Sequence, residues 1–276
     1  MIKNKVRWML VFPGMAAVVL LLFFPLLQMI IPTFSSDNTN SSYTEFLSSN
    51  YNQEVIFRTV GIAVITTIIV LILGLPLALW ISRQKGSVKK ILSIVILFPI
   101  LTNAVVRNFT WIIILGKNGV LNELFIKLHI ISKPLSLLYT NFAIVVGLVY
   151  LFLPIMVTSL VGSIDELNIE VEEAAAILGA SPSVSFFKVI IPQLITGILT
   201  GCILVFAGSM TAYTTPQILG GNRHLVMATL IYQESMTLGD WNSASIVAVI
   251  LIVLTVISII LMRLITRRIN RGIENA

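Results

Sequence analysis

Six long runs with almost no charge decide what this 276-residue chain can fold into. They extend from about Trp8 to Ile31, Val60 to Ile81, Ile91 to Leu115, Phe142 to Val161, Ile190 to Ala212 and Ala244 to Ile265. A hydrocarbon layer about 30 Å thick takes roughly 20 helical residues, so each run is long enough to cross one. Apolar residues occupy every face of these runs, unlike the one-sided helices of a soluble bundle. The ten-residue alternation of a membrane barrel does not occur. The expected fold class is an all-α polytopic membrane protein with six transmembrane helices.

Composition agrees with the pattern. Hydrophobic residues make up 57% of the chain and charged residues 11%, whereas soluble domains run at about 45–50% and about 25%. A soluble fold of this length could not cover its surface with so few charges. One cysteine, Cys202, allows no internal disulfide, and His129 and His224 lie far apart, so no metal site is expected. The net charge of +6 fits basic membrane loops, and no nucleic-acid partner is expected. The first run follows Lys3, Lys5 and Arg7 as a signal peptide would. It is too long for one, and it ends in Ile-Pro-Thr-Phe without a small-residue cleavage site, which predicts a retained anchor.

Lysine and arginine set the orientation. With the N-terminus inside, twelve basic residues fall in inner segments: Lys3, Lys5, Arg7, Arg83, Lys85, Lys89, Lys90, Lys188, Arg263, Arg267, Arg268 and Arg271. Five fall outside: Arg58, Lys117, Lys127, Lys133 and Arg223. This imbalance predicts both termini in the cytoplasm and outer loops at 32–59, 116–141 and 213–243. The first outer loop reads as a polar surface loop. Neither an internal repeat nor the inverted symmetry of secondary carriers is visible.

One inner loop breaks the charge rule. Asp165, Glu166, Glu170, Glu172 and Glu173 precede Lys188 with no basic residue between Gly162 and it. Ser163 and Glu166 have the spacing of a capping box, and Asn168 is a second candidate N-cap. The glutamates suit early helical turns, Ala174, Ala175 and Ala176 favour helix, and Gly179 suits a left-handed C-terminal turn. Ser181-Pro182 then predicts a restart, with serine as N-cap and proline at the first helical position. The result is a short helix with a small, smooth face that suits a groove on a soluble partner.

Glu173-Ala174-Ala175, three residues, Gly179, nine residues and Val189-Ile190-Ile191-Pro192 together resemble the EAA signature of binding-protein-dependent ABC importer permeases. The usual ending is Ile-x-Leu-Pro, so Val189 and Ile191 are apolar departures. Phe98-Pro99 through Asn103 to Arg107, Trp111, the Leu115–Asn122 segment and Tyr213-Thr-Thr-Pro216-Gln-Ile-Leu219-Gly220-Gly221 are similar to the spermidine/putrescine-type branch. The resemblance implies a type I importer permease fold, divided into an anchor and outer loop at 1–55, a permease core at 56–265 with its coupling loop at 162–189, and a basic tail at 266–276. It implies that Glu172, Glu173, Ala174, Ala175, Gly179, Ala180, Ile191 and Pro192 serve ATPase coupling. The implied partners are an ABC ATPase dimer, a second permease (heterodimer rather than homodimer), an extracytoplasmic binding protein and the bilayer of a bacterial inner membrane. The implied cargo is a polyamine; an aminophosphonate, an opine or an amino-acid derivative is the alternative within the family.

Energy must come from outside the chain. None of its nine lysines precedes Ser or Thr, so no Walker-type P-loop is present. The chain is expected to be no enzyme, to bind no cofactor, and to leave ATP and magnesium to its partner. No carboxylate lies within the six runs, which argues against the alternative of a proton- or sodium-driven secondary carrier. Asn103, Arg107, Trp111, Tyr213, Thr214, Glu234, Asp240 and Trp241 are the candidates for the substrate path. Arg107 either lines that path or snorkels to the outer interface, with Asn103 one turn earlier on the same face. Aromatic faces and carboxylates around the last outer loop suit an amine, and belt aromatics in a solvated loop would look the same.

Overall fold

The computed structural model describes residues 4–35, 39–167, 171, 175 and 177–274, and every regular element among them is helical. Among the described residues, six helical stretches are long and apolar enough to cross a membrane, at Phe12–Ile31, Asn50–Ser82, Ala104–Lys127, Asn141–Asp165, Pro182–Thr211 and Trp241–Leu264. The chain divides into two compact units, one of residues 1–53 with 230–250, the other of 54–229 with 251–276.

In the smaller unit, α1 (Asn4–Ser35) is followed by α2 (Thr39–Ser48), and the Tyr43 hydroxyl donates to Thr33 Oγ1 at 2.9 Å. The sequence reading of 32–59 as a surface loop is therefore corrected. Helix α2 occupies its middle, and α3 (Asn50–Ser82) begins ten residues before Val60. Polar side chains such as Asn52 and Gln53 bond to the carbonyls of Phe46 and Leu47, so the polar stretch winds into helix.

The larger unit is built around α8 (Asn141–Asp165), the most buried of the six crossing helices. Its neighbours meet it with glycines. A methyl added at Gly74 of α3 would stand 2.9 Å from Met156 Cγ, and one at Gly201 would stand 2.5 Å from Met156 Sδ. Gly208 faces the Phe152 ring equally closely. Small residues let membrane helices approach where no hydrophobic force drives them together. Cys202 is buried in the same core.

Two expectations fail in this unit. The third run is no continuous helix. It consists of α4 (Gly86–Ile96), a turn at α5 (Phe98–Leu101) and α6 (Ala104–Leu115), with extended backbone at Thr102. Pro99 starts the short turn, and Asn103 then caps a new helix, so Asn103 stands before α6 and not one turn along it. Ser163 is likewise no N-cap. The fourth helix runs on to Asp165, and the Ser163 hydroxyl donates back to the Ser159 carbonyl at 3.3 Å. Asn168 lies outside the described residues.

Candidate coupling loop and substrate path

From Gly179 to Pro192 the inner loop keeps the local chemistry that its sequence encodes. Gly179 has φ +84°, and the Ala180 amide donates to the Ala175 carbonyl at 3.0 Å, the six-to-one bond of a glycine-terminated helix. Ser181 then caps α9 (Pro182–Ser185): its hydroxyl accepts from the Val184 amide at 3.4 Å, and Pro182 occupies the first turn. A π-turn at Phe186–Ile190 leads into α10 (Ile191–Thr211), with Pro192 in its first turn. Just before the turn, Ile177 and Leu178 are each 87% exposed. A bare apolar pair beside a fixed turn is suited to burial against another protein. Glu172, Glu173 and Ala174 lie outside the described residues.

Asp165 closes the loop's membrane end differently from a free acidic patch. Lys89 Nζ donates to both of its carboxylate oxygens at 2.7 Å, joining α4 to the end of α8.

Of the path candidates, Asn103, Arg107, Trp111, Tyr213 and Thr214 fall in the larger unit, and Glu234, Asp240 and Trp241 in the smaller. The structure gives Arg107 a local task. It is 8% exposed, and its guanidinium donates to the carbonyls of Pro99 at 2.8 Å and Thr102 at 3.4 Å. The Asn103 amide oxygen accepts from the Val105 and Val106 amides at 2.8 and 3.4 Å. Together they bond two amides and two carbonyls of the break. Trp111 packs edge-to-face on Tyr150, with ring centroids 5.7 Å apart. Both line a largely apolar groove of about 920 Å³ between α3 and α8, bounded by the ion-paired Glu54 and Arg58.

Tyr213 and Thr214 open α11 (Thr214–Leu219), which packs on α6 and α8. Gly147 makes that approach possible, since a methyl there would stand 2.6 Å from Thr215 Cγ2. In the smaller unit, Glu234, Glu45, Asn52 and Asn242 line a polar cavity of about 340 Å³. Burial first, and then nearby Asp240, push the Glu234 carboxyl above its usual range. Asp240 is held below its own, because the Ser243 backbone amide and hydroxyl both donate to it. On acidification Glu234 therefore takes a proton before Asp240. Trp241 is 62% exposed at the start of α13 (Trp241–Glu274).

Several functional-looking groups escape sequence reasoning. Arg58, counted as an outer-loop cation, lies in α3 and donates to the Leu225 carbonyl at 3.0 Å. Burial, followed by the charge of Arg58, holds the His224 imidazole below its usual range. Asn122 is buried and pins two loops, bonding the Gly116 carbonyl and both backbone groups of Leu135. Asn108 is fully buried, with both side-chain polar atoms unpartnered. The only sequence signal for these residues is polarity inside or beside an apolar run.

Comparisons agree with this architecture. The chain is 33% identical over 236 residues to the spermidine/putrescine transport system permease protein PotB of Haemophilus influenzae, covering 86% of this chain and 82% of that one. It is 30% identical over 264 residues to PotB of Escherichia coli K12, covering 93% and 96%. Its fold matches a crystal structure of a bacterial ABC transporter involved in the import of the acidic polysaccharide alginate. The TM-score is 0.81 at 13% identity, and the match covers 96% of both chains. Residues 71–271 match the family described as binding-protein-dependent transport system inner membrane component, and the chain belongs to that family as a multi-pass inner membrane protein.

Proposed function

We propose that this chain is a permease subunit that imports polyamines of the spermidine/putrescine class, driven by a separate ABC ATPase dimer. The observation that carries the reading is the match to spermidine/putrescine permeases along 93% of the chain, loops included. The ATPase holds ATP and magnesium, and this chain binds no cofactor. It pairs with a second, similar permease, and an extracytoplasmic binding protein delivers the solute. Both termini lie in the cytoplasm, as the basic loops require.

ATP-driven closure of the ATPase pulls the loop ending at Gly179. The exposed Ile177 and Leu178 and the fixed turn support its role as the docking element. The continuous helical run from Pro182 to Thr211 carries the shift into the membrane. In the smaller unit Glu234 and Asp240 offer carboxylates for an amine; in the larger unit, taken by itself, Trp111 and Tyr150 offer an aromatic wall that favours cations. Arg107 is turned to the backbone carbonyls of the break.

Uptake of labelled spermidine and putrescine, in cells lacking the gene and in cells with it restored, tests the cargo. Restoration should return uptake of at least one polyamine; unchanged uptake in both strains would overturn the assignment. Single-cysteine variants at Lys85 and Lys117 test orientation. An impermeant thiol reagent added to intact cells should label only the latter.

A further inference from the structure

We propose that Glu54 takes an ammonium group of the cargo, exchanging its ion pair with Arg58 for it. The inference rests on the polyamine reading above and gives that reading a specificity-determining carboxylate. Glu54 and Arg58 lie one turn apart on α3, a spacing at which opposite charges pair on many helices. Here the two halves of the pair are held very differently. The Arg58 side chain is 11% exposed, and its other terminal nitrogen donates to the Leu225 carbonyl at 3.0 Å. The Glu54 side chain is 68% exposed, and Arg58 is its one hydrogen-bond partner among the described residues. The guanidinium therefore keeps its place when the carboxylate turns away. An ion pair with one exposed partner contributes little, so a competing cation can take that carboxylate.

Glu54 and Arg58 line one end of the groove of about 920 Å³ between α3 and α8. Gly74 of α3 meets Met156 of α8, and Ser82 and Asp165, at the ends of the two helices, line one cavity. The helices therefore run side by side in the same direction, and counting back from the Gly74–Met156 contact brings Arg58 and Asn141 to one level. Tyr150 is nine positions beyond Asn141 in the sequence, about 14 Å along the α8 axis. There its ring meets Trp111, and Ile62, Ile65, Val145 and Val149 line the groove alongside. A chain that alternates ammonium groups with short methylene runs matches this order of surfaces. One ammonium pairs with Glu54, the methylenes lie on aliphatic walls, and a second ammonium meets aromatic faces that attract it.

The test is equilibrium binding of radiolabelled spermidine to the membrane complex of permease and ATPase subunits in phosphatidylcholine nanodiscs. The soluble binding protein is omitted, so the affinity read is that of the membrane complex. A bond to a charged group contributes about a tenfold factor or more, so Glu54→Gln should weaken binding at least about tenfold, and Glu54→Asp less. Arg58→Gln frees the carboxylate and should tighten binding, by no more than about fivefold, the strength of an exposed pair. The double variant Glu54→Gln, Arg58→Gln should stay weak. Wild-type affinity in Glu54→Gln overturns the proposal, as does a wild-type complex that binds no spermidine. An equal loss in Arg58→Gln would make the pair a structural clip, and recovery in the double variant would leave Glu54 a mere screen for Arg58; either overturns it. Polyamine uptake by the restored strain separates the two readings. With uptake intact, any of these outcomes removes Glu54 and leaves the cargo assignment standing, whereas absent uptake removes both.

Discussion

The chain stops and restarts a helix at two places, and the two are built differently. At Thr102–Asn103, inside an apolar run, side chains bond freed backbone groups on both sides of the break. Asn103 caps two amides from one side, and Arg107 reaches back to two carbonyls from the other. At Gly179–Ser181, in the acidic loop, a positive φ, the backbone bond from Ala180 to Ala175 and one 3.4 Å side-chain cap bond suffice, and large apolar side chains stand open beside the turn. Hydrocarbon offers backbone groups no partner, so a break within a membrane-length run must be closed by the protein's own side chains. A turn outside the hydrocarbon can leave its backbone groups to water, and the surface of the Gly179 turn stays available for another subunit.

Substitutions at the two sites separate these designs. The largest effect is expected from Arg107→Met, which leaves the Thr102 carbonyl unpartnered and the Pro99 carbonyl with the Thr102 hydroxyl alone, and should destabilise the purified permease by about 3 kcal/mol. Equilibrium unfolding in mixed detergent measures it; a loss no greater than that of a surface arginine would mean that the break closes without the guanidinium. Gly179→Val should follow, because a β-branched residue in left-handed backbone costs about 2 kcal/mol. Here the expected result is lost polyamine uptake with normal membrane insertion, and full uptake would remove the turn from the coupling element. Asn103→Ala should cost about 1 kcal/mol, the usual contribution of an N-cap. Ser181→Ala should cost about 0.5 kcal/mol, the low end for a cap, because water replaces a long, exposed bond. Equal losses in the last two variants would break the comparison, since they would show that surroundings do not set the strength of a cap.

The turn at Gly179 and the restart at Ser181-Pro182 are legible because each depends on residues within a few positions of itself. A glycine before Ala-Ser-Pro has few alternatives. The break at Asn103 was not legible as a break: Phe-Pro-Ile-Leu-Thr-Asn lies in an apolar run that hydropathy reads as one span. Pro154 shows why proline alone gives no answer, since α8 continues through it while Thr158 bonds the Pro154 carbonyl. Ser163 shows the opposite error. Its spacing to Glu166 is that of a capping box, yet packing of α8 against the close-set Gly197 keeps the helix going past it. Arg107 is polar, intramembrane and suggestive, and only its distance to two carbonyls reveals what it serves.

The sequence by itself determined that the chain crosses the membrane, where three of its six crossings lie to within a few residues, and how the acidic loop turns. Those properties follow from apolar length and from local backbone preference, which need no distant partner. Tertiary structure decided where the third run breaks, that Lys89 and Asp165 join across 76 positions, and which glycines admit Met156 and Phe152. Each of these depends on groups remote in sequence meeting at one place. Hydropathy sums over neighbours, and so it has no means of recording such a meeting.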